Sequence, residues 1–263
     1  MSAPPPAAAL VGVIHLPPLP HSPRFGGDVS AIVAATARDA SRLQQAGFEG
    51  MIIENFGDAP FAPAQVDAVV VAAMTRCVLA AKAAAPHLFL GVNVLRNDAH
   101  SALAIAAACG AQMVRINVHI GARVTDQGIV QGRAYDTVRR RAQLAPQCQL
   151  WCDVAVKHSA ALARREVVEE AEETAARGLA DALLVTGWGT GHAPASERVE
   201  AIAAAAAVPV YVASGATAAT VAGWGAAHGV IVGSALRADG RAGGPIDAAE
   251  AQRFAAAWRK ARA

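Results

Sequence analysis

Short apolar runs alternate with longer alanine-rich stretches along the whole chain, and nearly every apolar run ends in a polar or glycine residue. Short apolar runs bounded by loop residues are typical of buried strands. The pattern predicts strands at Leu10–His15, Met51–Glu54, Leu88–Asn93, Met113–Asn117, Gln149–Asp153, Ala182–Thr186, Val208–Ser214 and Val230–Gly233.

The stretches between these runs have the composition and length of helices. Asp28 is a suitable N-cap for a first helix that ends near Gly47, because aspartate caps helix starts and glycine follows helix ends. The later helices are predicted at Gln65–Ala84, Asp98–Cys109, Gly132–Leu144, Glu166–Gly178, Ala195–Ala206, Ala218–Ala226 and Ala248–Arg262.

Eight strands that alternate with helices must pair in parallel, and eight such units in a chain of 263 residues predict a closed (β/α)8 TIM barrel. We expect one α/β domain over residues 1–263, with the Pro/Ala-rich residues 1–9 as a flexible N-terminal arm. An open doubly wound sheet is the alternative. No glycine-rich dinucleotide fingerprint follows the first strand, which argues against it.

Composition excludes several classes of protein. Hydrophobic residues make up 54% and charged residues 17%, which is unlike a disordered chain. The net charge is +2 without a basic run, so no nucleic-acid partner is expected. The apolar stretches are too short for membrane insertion. The cysteines form no C-x-x-C pair and lie in apolar runs, which predicts free buried thiols and a cytoplasmic location: Cys77, Cys109, Cys148 and Cys152.

Polar residues end almost every predicted strand, where a barrel of this kind places its active site. Unpaired charge is costly to gather in a concave mouth, so this convergence predicts a ligand site. The candidates for binding a substrate are His15, Asn55, Asn93, Arg96, Arg115, Asn117, His158 and Thr186.

Four residues are candidates for catalysis: Glu54, Asp153, Lys157 and His119. Two carboxylates on nearby strands can divide acid and base roles when their environments differ. The alternative is that Glu54 and Asp153 form ion pairs with Arg115 and Lys157 that hold the mouth together. A Schiff-base role for Lys157 is a weaker hypothesis, because it requires burial that lowers the pKa of the amine.

The loops after the last two strands are rich in glycine and small residues, and such loops form the usual phosphate site of these barrels. We therefore predict a small anionic metabolite held by Ser214, Gly215, Ala216, Gly233 and Ser234. Tight turns alone are the alternative. No cofactor is predicted. A divalent metal on His15, Glu54, His119 and Asp153 is the weaker interpretation, because no two of them have a metal-motif spacing.

Two further loops are candidates for covers over the ligand. The residues from His119 to Gly128 form a long segment after the fourth strand, as expected for a lid or a plain crossover. The glycine-rich residues from Gly187 to Gly191 could close over the ligand or form a flexible loop without chemistry.

A series of motifs resembles the BtpA/SgcQ family. They occur in one order over nearly the whole chain, at Val13–Pro20, Ser22–Arg24, Gly26-Gly27, Glu54–Asp58, Gly91–Asp98, Arg115–His119, Val124–Gly128, Asp153–His158, Val185–Gly187, Ser214-Gly215 and Ile231–Gly233. The resemblance implies a barrel of the ribulose-phosphate-binding type. Within the family, one member is associated with photosystem I, and another carries the label of a nucleosidase.

Two functional hypotheses follow. The first is an enzyme, an isomerase, a lyase or a glycosidase, that acts on a phosphorylated sugar or a nucleoside-like compound by acid/base chemistry. The second is a non-catalytic assembly or stability factor for photosystem I. Related barrels often associate, so a homo-oligomer is one expected state.

Overall fold

A closed barrel of eight parallel strands forms the centre of the computed structural model, which describes residues 10–163 and 165–263. The barrel strands are β1 (Leu10–His15), β2 (Gly50–Glu54), β3 (Phe89–Asn93), β4 (Met113–Ile116), β7 (Gln149–Val154), β9 (Ala182–Val185), β10 (Val210–Val212) and β11 (Gly229–Val232). They neighbour one another in chain order, and β11 closes the ring on β1. The predicted TIM barrel is confirmed.

Seven α-helices surround this ring within the described residues: α1 (Val29–Ala46), α2 (Ala68–Ala84), α3 (Ala99–Cys109), α4 (Ala134–Leu144), α5 (Val167–Ala176), α6 (Ser196–Ala205) and α7 (Ala248–Arg262). Asp28 caps α1 by accepting from Ala31 N, and Gly47 ends it with a φ of 88°. The left-handed conformation there favours glycine. The second helix begins later than predicted, because Asp67 provides its cap.

The helix predicted at Ala218–Ala226 is wrong. A single 3-10 turn at Val221–Gly223 replaces it. The hydroxyls of Thr217 and Thr220 bond to each other and accept from each other's backbone N–H groups. Such local side-chain bonds compete with helix formation, and the glycines that follow weaken it further.

The long segment after β4 forms a hairpin. Its strands β5 (Ala122–Thr125) and β6 (Gly128–Gln131) pair in antiparallel fashion, and β8 (Ala160–Ala161) adds to the other edge of β5. This small sheet lies beside the barrel and fixes the segment that follows β7. The segment is therefore more than a plain crossover, because the chain folds back on itself at Gly128, whose φ is 92°. The expectation of a lid stays a prediction.

Aromatic side chains fill the inside of the barrel below its mouth. Trp151 stacks on Tyr211 with ring centroids 4.4 Å apart, and on Phe89 at 5.8 Å. Trp151 and Asp153 share a face of β7, as the alternation of side chains along a strand requires. The strand therefore supplies a packed apolar layer below and a charged group above.

The four cysteines are free and buried, as predicted. Among residues 10–163 and 165–263, none of the helices is both long enough and apolar enough to cross a bilayer. The N-terminal arm predicted for residues 1–9 lies outside the described residues.

Candidate functional site

A buried ion pair occupies the centre of the barrel mouth. Arg115 donates from Nη2 to the two carboxylate oxygens of Asp153 at 3.0 and 3.2 Å, and from Nε to Oδ2 at 3.3 Å. Asn117 Nδ2 donates to the same Oδ2 at 2.7 Å. The Asp153 side chain is shielded completely from solvent. It is engaged in holding Arg115, and this agrees with the ion-pair interpretation of the sequence.

Asn93 and Asn55 are used as internal supports. Asn93 Nδ2 donates to the carbonyl of Arg115 at 3.1 Å and to Asn117 Oδ1 at 3.0 Å. Asn55 accepts from the backbone of Leu95 at 2.7 Å and donates to Asp58 at 3.0 Å. Both side chains therefore fix the strand ends and the loops beside them.

Glu54 stands at the end of β2 with its carboxylate facing the same mouth. Oε2 lies 3.9 Å from Arg115 Nη1, and Oε1 lies 3.8 Å from His15 Nε2. Both distances exceed that of a hydrogen bond, and no hydrogen bond joins the carboxylate to another group in the described part of the chain. Glu54 is thus attracted by the positive charge of Arg115 but is not hydrogen-bonded to it.

His15 is a neutral neighbour of this carboxylate. Its Nδ1 accepts from the backbone N–H of Gly243 at 3.0 Å, which places the ring proton on Nε2, toward Glu54. Burial lowers the pKa of His15 well below its usual value, and the positive charges of Arg237, Lys157 and Arg115 lower it further. The ring therefore contributes a donor and no charge at neutral pH.

Lys157 brings an ammonium group into the mouth without a fixed partner. Its Nζ makes no hydrogen bond or ion pair with any of the described residues. Burial lowers the pKa of Lys157 to about 8, the charge of Arg115 lowers it further, and Glu54 and Asp153 oppose the decrease. About a tenth of the amine is therefore uncharged at pH 7, far more than for an ordinary lysine.

The backbone of Lys157 is held on both sides. Thr186 Oγ1 accepts from its N–H at 3.1 Å, and Arg96 Nη2 donates to its carbonyl at 2.8 Å. His158 follows at the edge of the mouth, where Nε2 lies 2.8 Å from Thr190 Oγ1. These predicted substrate-binding residues thus position the lysine, and Arg96 and His158 also line the pocket.

The pocket above these groups has a volume of about 540 Å³. Part of its lining is polar, formed by Glu54, Arg115, Asn117 and Lys157, and another part, which we call the apolar wall, is hydrophobic. The apolar wall consists of Leu16, Pro17, Pro18, Phe56, Phe61 and Leu95. A pocket of this size with a few polar groups on one side is typical of a small-molecule site.

A second, smaller cavity adjoins the first at the ends of β10 and β11. The predicted phosphate residues line it: Ser214, Gly215, Ala216, Gly233 and Ser234. Glu54, Arg115 and Lys157 line both spaces. The cavity measures about 20 Å³, roughly the room of one water molecule.

The segment from Gly187 to Ala193 covers this smaller cavity. A Cβ at Gly215 would lie 2.0 Å from Ala193 N, so the covering backbone rests directly on that glycine. The Ser214 hydroxyl holds the segment by accepting from Gly187 N and donating to His192 O, both at 2.8 Å. No helix starts beside these residues, because the 3-10 turn at Val221–Gly223 replaces the helix predicted at Ala218–Ala226. The donors that remain for an anion are the backbone N–H groups of the loops.

The structure does not bring His119 to the mouth. Its Nε2 lies 2.8 Å from the carbonyl of Gly178, just beyond α5, and the ring is buried there. Burial lowers the pKa of His119. Because His119 points away and Asp153 is bound to Arg115, the four residues considered for a metal do not assemble. Within residues 10–163 and 165–263, no group of three His, Cys, Asp or Glu side chains is placed to hold one.

Sequence reasoning missed the apolar wall and Thr190. The proline-rich stretch after β1 indicated only that no helix starts there. The sequence nevertheless contained one signal for the apolar wall: Phe56 and Gly57 come just after Glu54, which ends a barrel strand. Because Gly57 has no side chain, the proline-rich stretch can pack against its backbone; a Cβ at that position would lie 2.4 Å from Pro18 N.

Comparison with known proteins identifies the family and the fold. A model described as the BtpA family matches residues 7–260. A relative from Synechocystis sp., named photosystem I biogenesis protein BtpA, is 43% identical over 242 residues, which cover 90% of this chain and 83% of the relative.

Solved structures of similar fold include two enzymes. Phosphoribosyl anthranilate isomerase from Thermus thermophilus matches with a TM-score of 0.59 and 13% identity, over 95% of this chain and 98% of that one. Geranylgeranylglyceryl phosphate synthase from Thermoplasma acidophilum, in complex with sn-glycerol-1-phosphate, matches with a TM-score of 0.58 and 14% identity, over 97% and 94%.

The two carboxylates of the mouth are expected to differ in their effect on stability. Asp153→Asn leaves the buried Arg115 without its charged partner, so the free energy of unfolding should fall by about 3–5 kcal/mol. Glu54→Gln removes no hydrogen bond between described residues, so the free energy of unfolding should fall by less than ~1 kcal/mol. Urea unfolding of both variants checks this, and equal losses would contradict the division of roles.

Lys157→Met is expected to stabilise the fold at neutral pH. The pKa of the lysine is about 8 in the folded chain and higher when unfolded, so below pH 8 the folded state bears the full cost of burying the charge. The variant should gain about 1–2 kcal/mol at pH 7. As pH rises from 8 toward 10.5, the unfolded state binds more protons, the wild type recovers stability, and the gain should vanish. Thermal melts across this range test it, with Lys260→Met as the control. A gain that does not change with pH would contradict the assignment.

Proposed function

The chain belongs to the BtpA family, and from that premise we propose that it is an enzyme that acts on a phosphorylated sugar or a nucleoside-like small molecule by acid/base chemistry at the C-terminal mouth of its barrel. The fold is that of the two phosphate-handling enzymes described above. The buried free thiols support a cytoplasmic location.

One observation carries the proposal: Glu54 and Lys157 line the same pocket, and neither terminal group makes a hydrogen bond with a described residue. Asp153, by contrast, is fully engaged by Arg115 and Asn117. A group that must exchange a proton with a substrate has to be within reach and free of stronger partners. In this proposal Glu54 and Lys157 act as the acid and base, and Asp153 takes no part in proton transfer.

The surrounding groups supply the environment for this chemistry. Arg115 is fixed by Asp153 and offers positive charge where negative charge develops on the substrate. Asn117 also lines the pocket, and beyond its bonds to Asp153 and Asn93 its amide keeps one N–H and one lone pair for a substrate hydroxyl. The apolar wall lowers the local polarity, which strengthens the interactions of the charged groups. Isomerisation, lyase chemistry and glycosidic cleavage all use such an acid and base pair.

The phosphate of the substrate would occupy the smaller cavity. The backbone N–H groups of Gly215, Ala216 and Ser234 donate to no described residue and border that cavity, with Lys157 beside them. Backbone N–H groups near glycine form anion sites. A phosphate needs more room than about 20 Å³, so binding requires the segment from Gly187 to Ala193 to move outward. The substrates named for the two structural neighbours carry a phosphate, which supports this assignment.

Ribose 5-phosphate is expected to stabilise the protein and ribose is not, because the phosphate supplies the contacts to the backbone N–H groups. At 100 times its dissociation constant, a ligand adds about 2.7 kcal/mol to the free energy of unfolding. Differential scanning fluorimetry measures the rise in midpoint. Lys157→Met should reduce that rise and Lys260→Met should leave it unchanged, each relative to its own ligand-free melt. Crystals soaked in ribose 5-phosphate or inorganic phosphate that never show an anion at the ends of β10 and β11 would refute the phosphate assignment.

A second candidate function is a non-catalytic role in photosystem I assembly or stability, favoured by the identity of 43% to the Synechocystis relative. The two candidates differ in their need for proton transfer. Binding alone needs the fold and surface, whereas catalysis needs the carboxylate of Glu54.

Complementation separates the two candidates. In a Synechocystis strain that lacks its own relative, we expect Glu54→Gln, made in this chain and present at wild-type abundance, to fail to support photosystem I accumulation where the wild-type chain succeeds. Full support by Glu54→Gln would favour the non-catalytic role. Failure of both chains would remove the photosystem candidate for this protein.

A further inference from the structure

We propose that Lys157 is a nucleophile that forms an imine with the carbonyl carbon of a small phosphorylated aldehyde or ketone. This inference rests on the proposed function, since it assigns the class of substrate and the covalent step to the same site. Lys157 lines both the large pocket and the smaller cavity, so a substrate that spans the two would place a carbonyl between its ends beside this residue.

The geometry fixes the lysine backbone and leaves its amine free. Thr186 and Arg96 bind the N–H and the carbonyl of Lys157 at 3.1 and 2.8 Å. Ala155 and His158 have positive φ angles of 47° and 56°, which non-glycine residues rarely adopt. Residues held in such conformations concentrate at functional sites, where the surrounding structure maintains them.

The other lysines of the chain lack this environment. The sequence has three lysines among 23 basic residues. Lys82 donates to the carbonyls of Cys109 and Gly110 at 2.8 and 3.5 Å, and Lys260 is exposed on α7. Arginine serves nearly everywhere else as the cation, yet it cannot lose its proton in proteins. A lysine at the mouth is the basic residue that can become a neutral nucleophile.

The covalent step needs no oxidant or cofactor. The uncharged amine attacks the carbonyl carbon, the C–N bond forms, and the carbonyl electron pair moves to oxygen, which takes a proton. The second proton of the amine is then transferred from nitrogen to the hydroxyl, the C–O bond breaks with release of water, and the nitrogen lone pair forms the C=N bond. Glu54 lines the same two cavities as Lys157 and can carry both protons from nitrogen to oxygen. The resulting imine withdraws electrons from the neighbouring carbon, which assists cleavage or proton removal there.

Burial and neighbouring charge supply the free amine that the sequence alone did not reveal. With a pKa of about 8, the fraction of uncharged Lys157 near neutral pH exceeds that of an ordinary lysine by on the order of 100-fold. Four charged groups around the mouth act on it: Glu54, Arg96, Arg115 and Asp153. The rings of His15 and His158 also lie near enough for the charge of Lys157 to lower their pKa values.

The test is reductive trapping with pyridoxal 5′-phosphate, an aldehyde that carries a phosphate. The wild-type protein is incubated with limiting reagent at pH 7.5, reduced with borohydride and digested, and the label at each lysine is quantified by mass spectrometry. We expect Lys157 to be labelled at least tenfold faster than Lys260. Its rate should rise with pH and reach half its maximum near pH 8, because the amine loses its proton there. Labelling of Lys157 no faster than Lys260 would overturn the proposal.

Two further measurements separate this inference from the proposed function. Glu54→Gln should slow labelling of Lys157 at least fivefold and leave Lys260 unchanged; an unchanged Lys157 rate would overturn the role of Glu54 in the step. Inorganic phosphate should slow Lys157 alone. If ribose 5-phosphate raises the melting midpoint but Lys157 is not labelled preferentially, the proposed function stands and the imine fails. If neither is observed, both fail.

Discussion

Neutralising Arg115 at the centre of the mouth is the constraint on which the site depends. A guanidinium removed from water is costly unless carboxylates surround it. Burial alone would lower the pKa of Arg115, but Asp153 and Glu54 outweigh that effect and raise it. Asp153 accepts the hydrogen bonds, and Glu54 contributes charge from 3.9 Å. The division leaves one carboxylate immobile and the other available to a ligand.

Most of the fold follows from sequence because strand and helix signals agree over most of the chain. The eight barrel strands lie within a few residues of their expected positions, and Asp28, Gly47 and Asp98 mark helix ends by local chemistry. The helix predicted after β10 is wrong because the alanine content there is typical of a helix, whereas the threonine hydroxyls stabilise a turn. The hairpin at β5 and β6 was missed although its pairing is local, because Asp126 and Gln127, which connect the two strands, lack the Asn-Gly or Asp-Gly pattern that marks such turns.

The site was predictable where strand alternation determines direction. Glu54, Arg115 and Asp153 end barrel strands, and their side chains must therefore meet at one rim. Beyond a strand end, the chain can turn either way, and so His119 could not be placed from sequence. The choice between a free and an engaged carboxylate depends on distances of a few ångströms, which pattern reasoning does not supply. The apolar wall comes from loops, whose approach to the mouth depends on close contacts such as that of Gly57 with Pro18.

The stacked rings of Phe89, Trp151 and Tyr211 have a consequence for traffic through the molecule. They seal the barrel from below, so compounds reach the charged rim from a single side. Substrate, product and displaced water must all pass through the same opening. A new substrate can therefore enter only after the product has left, and the Gly187–Ala193 segment lies beside this opening.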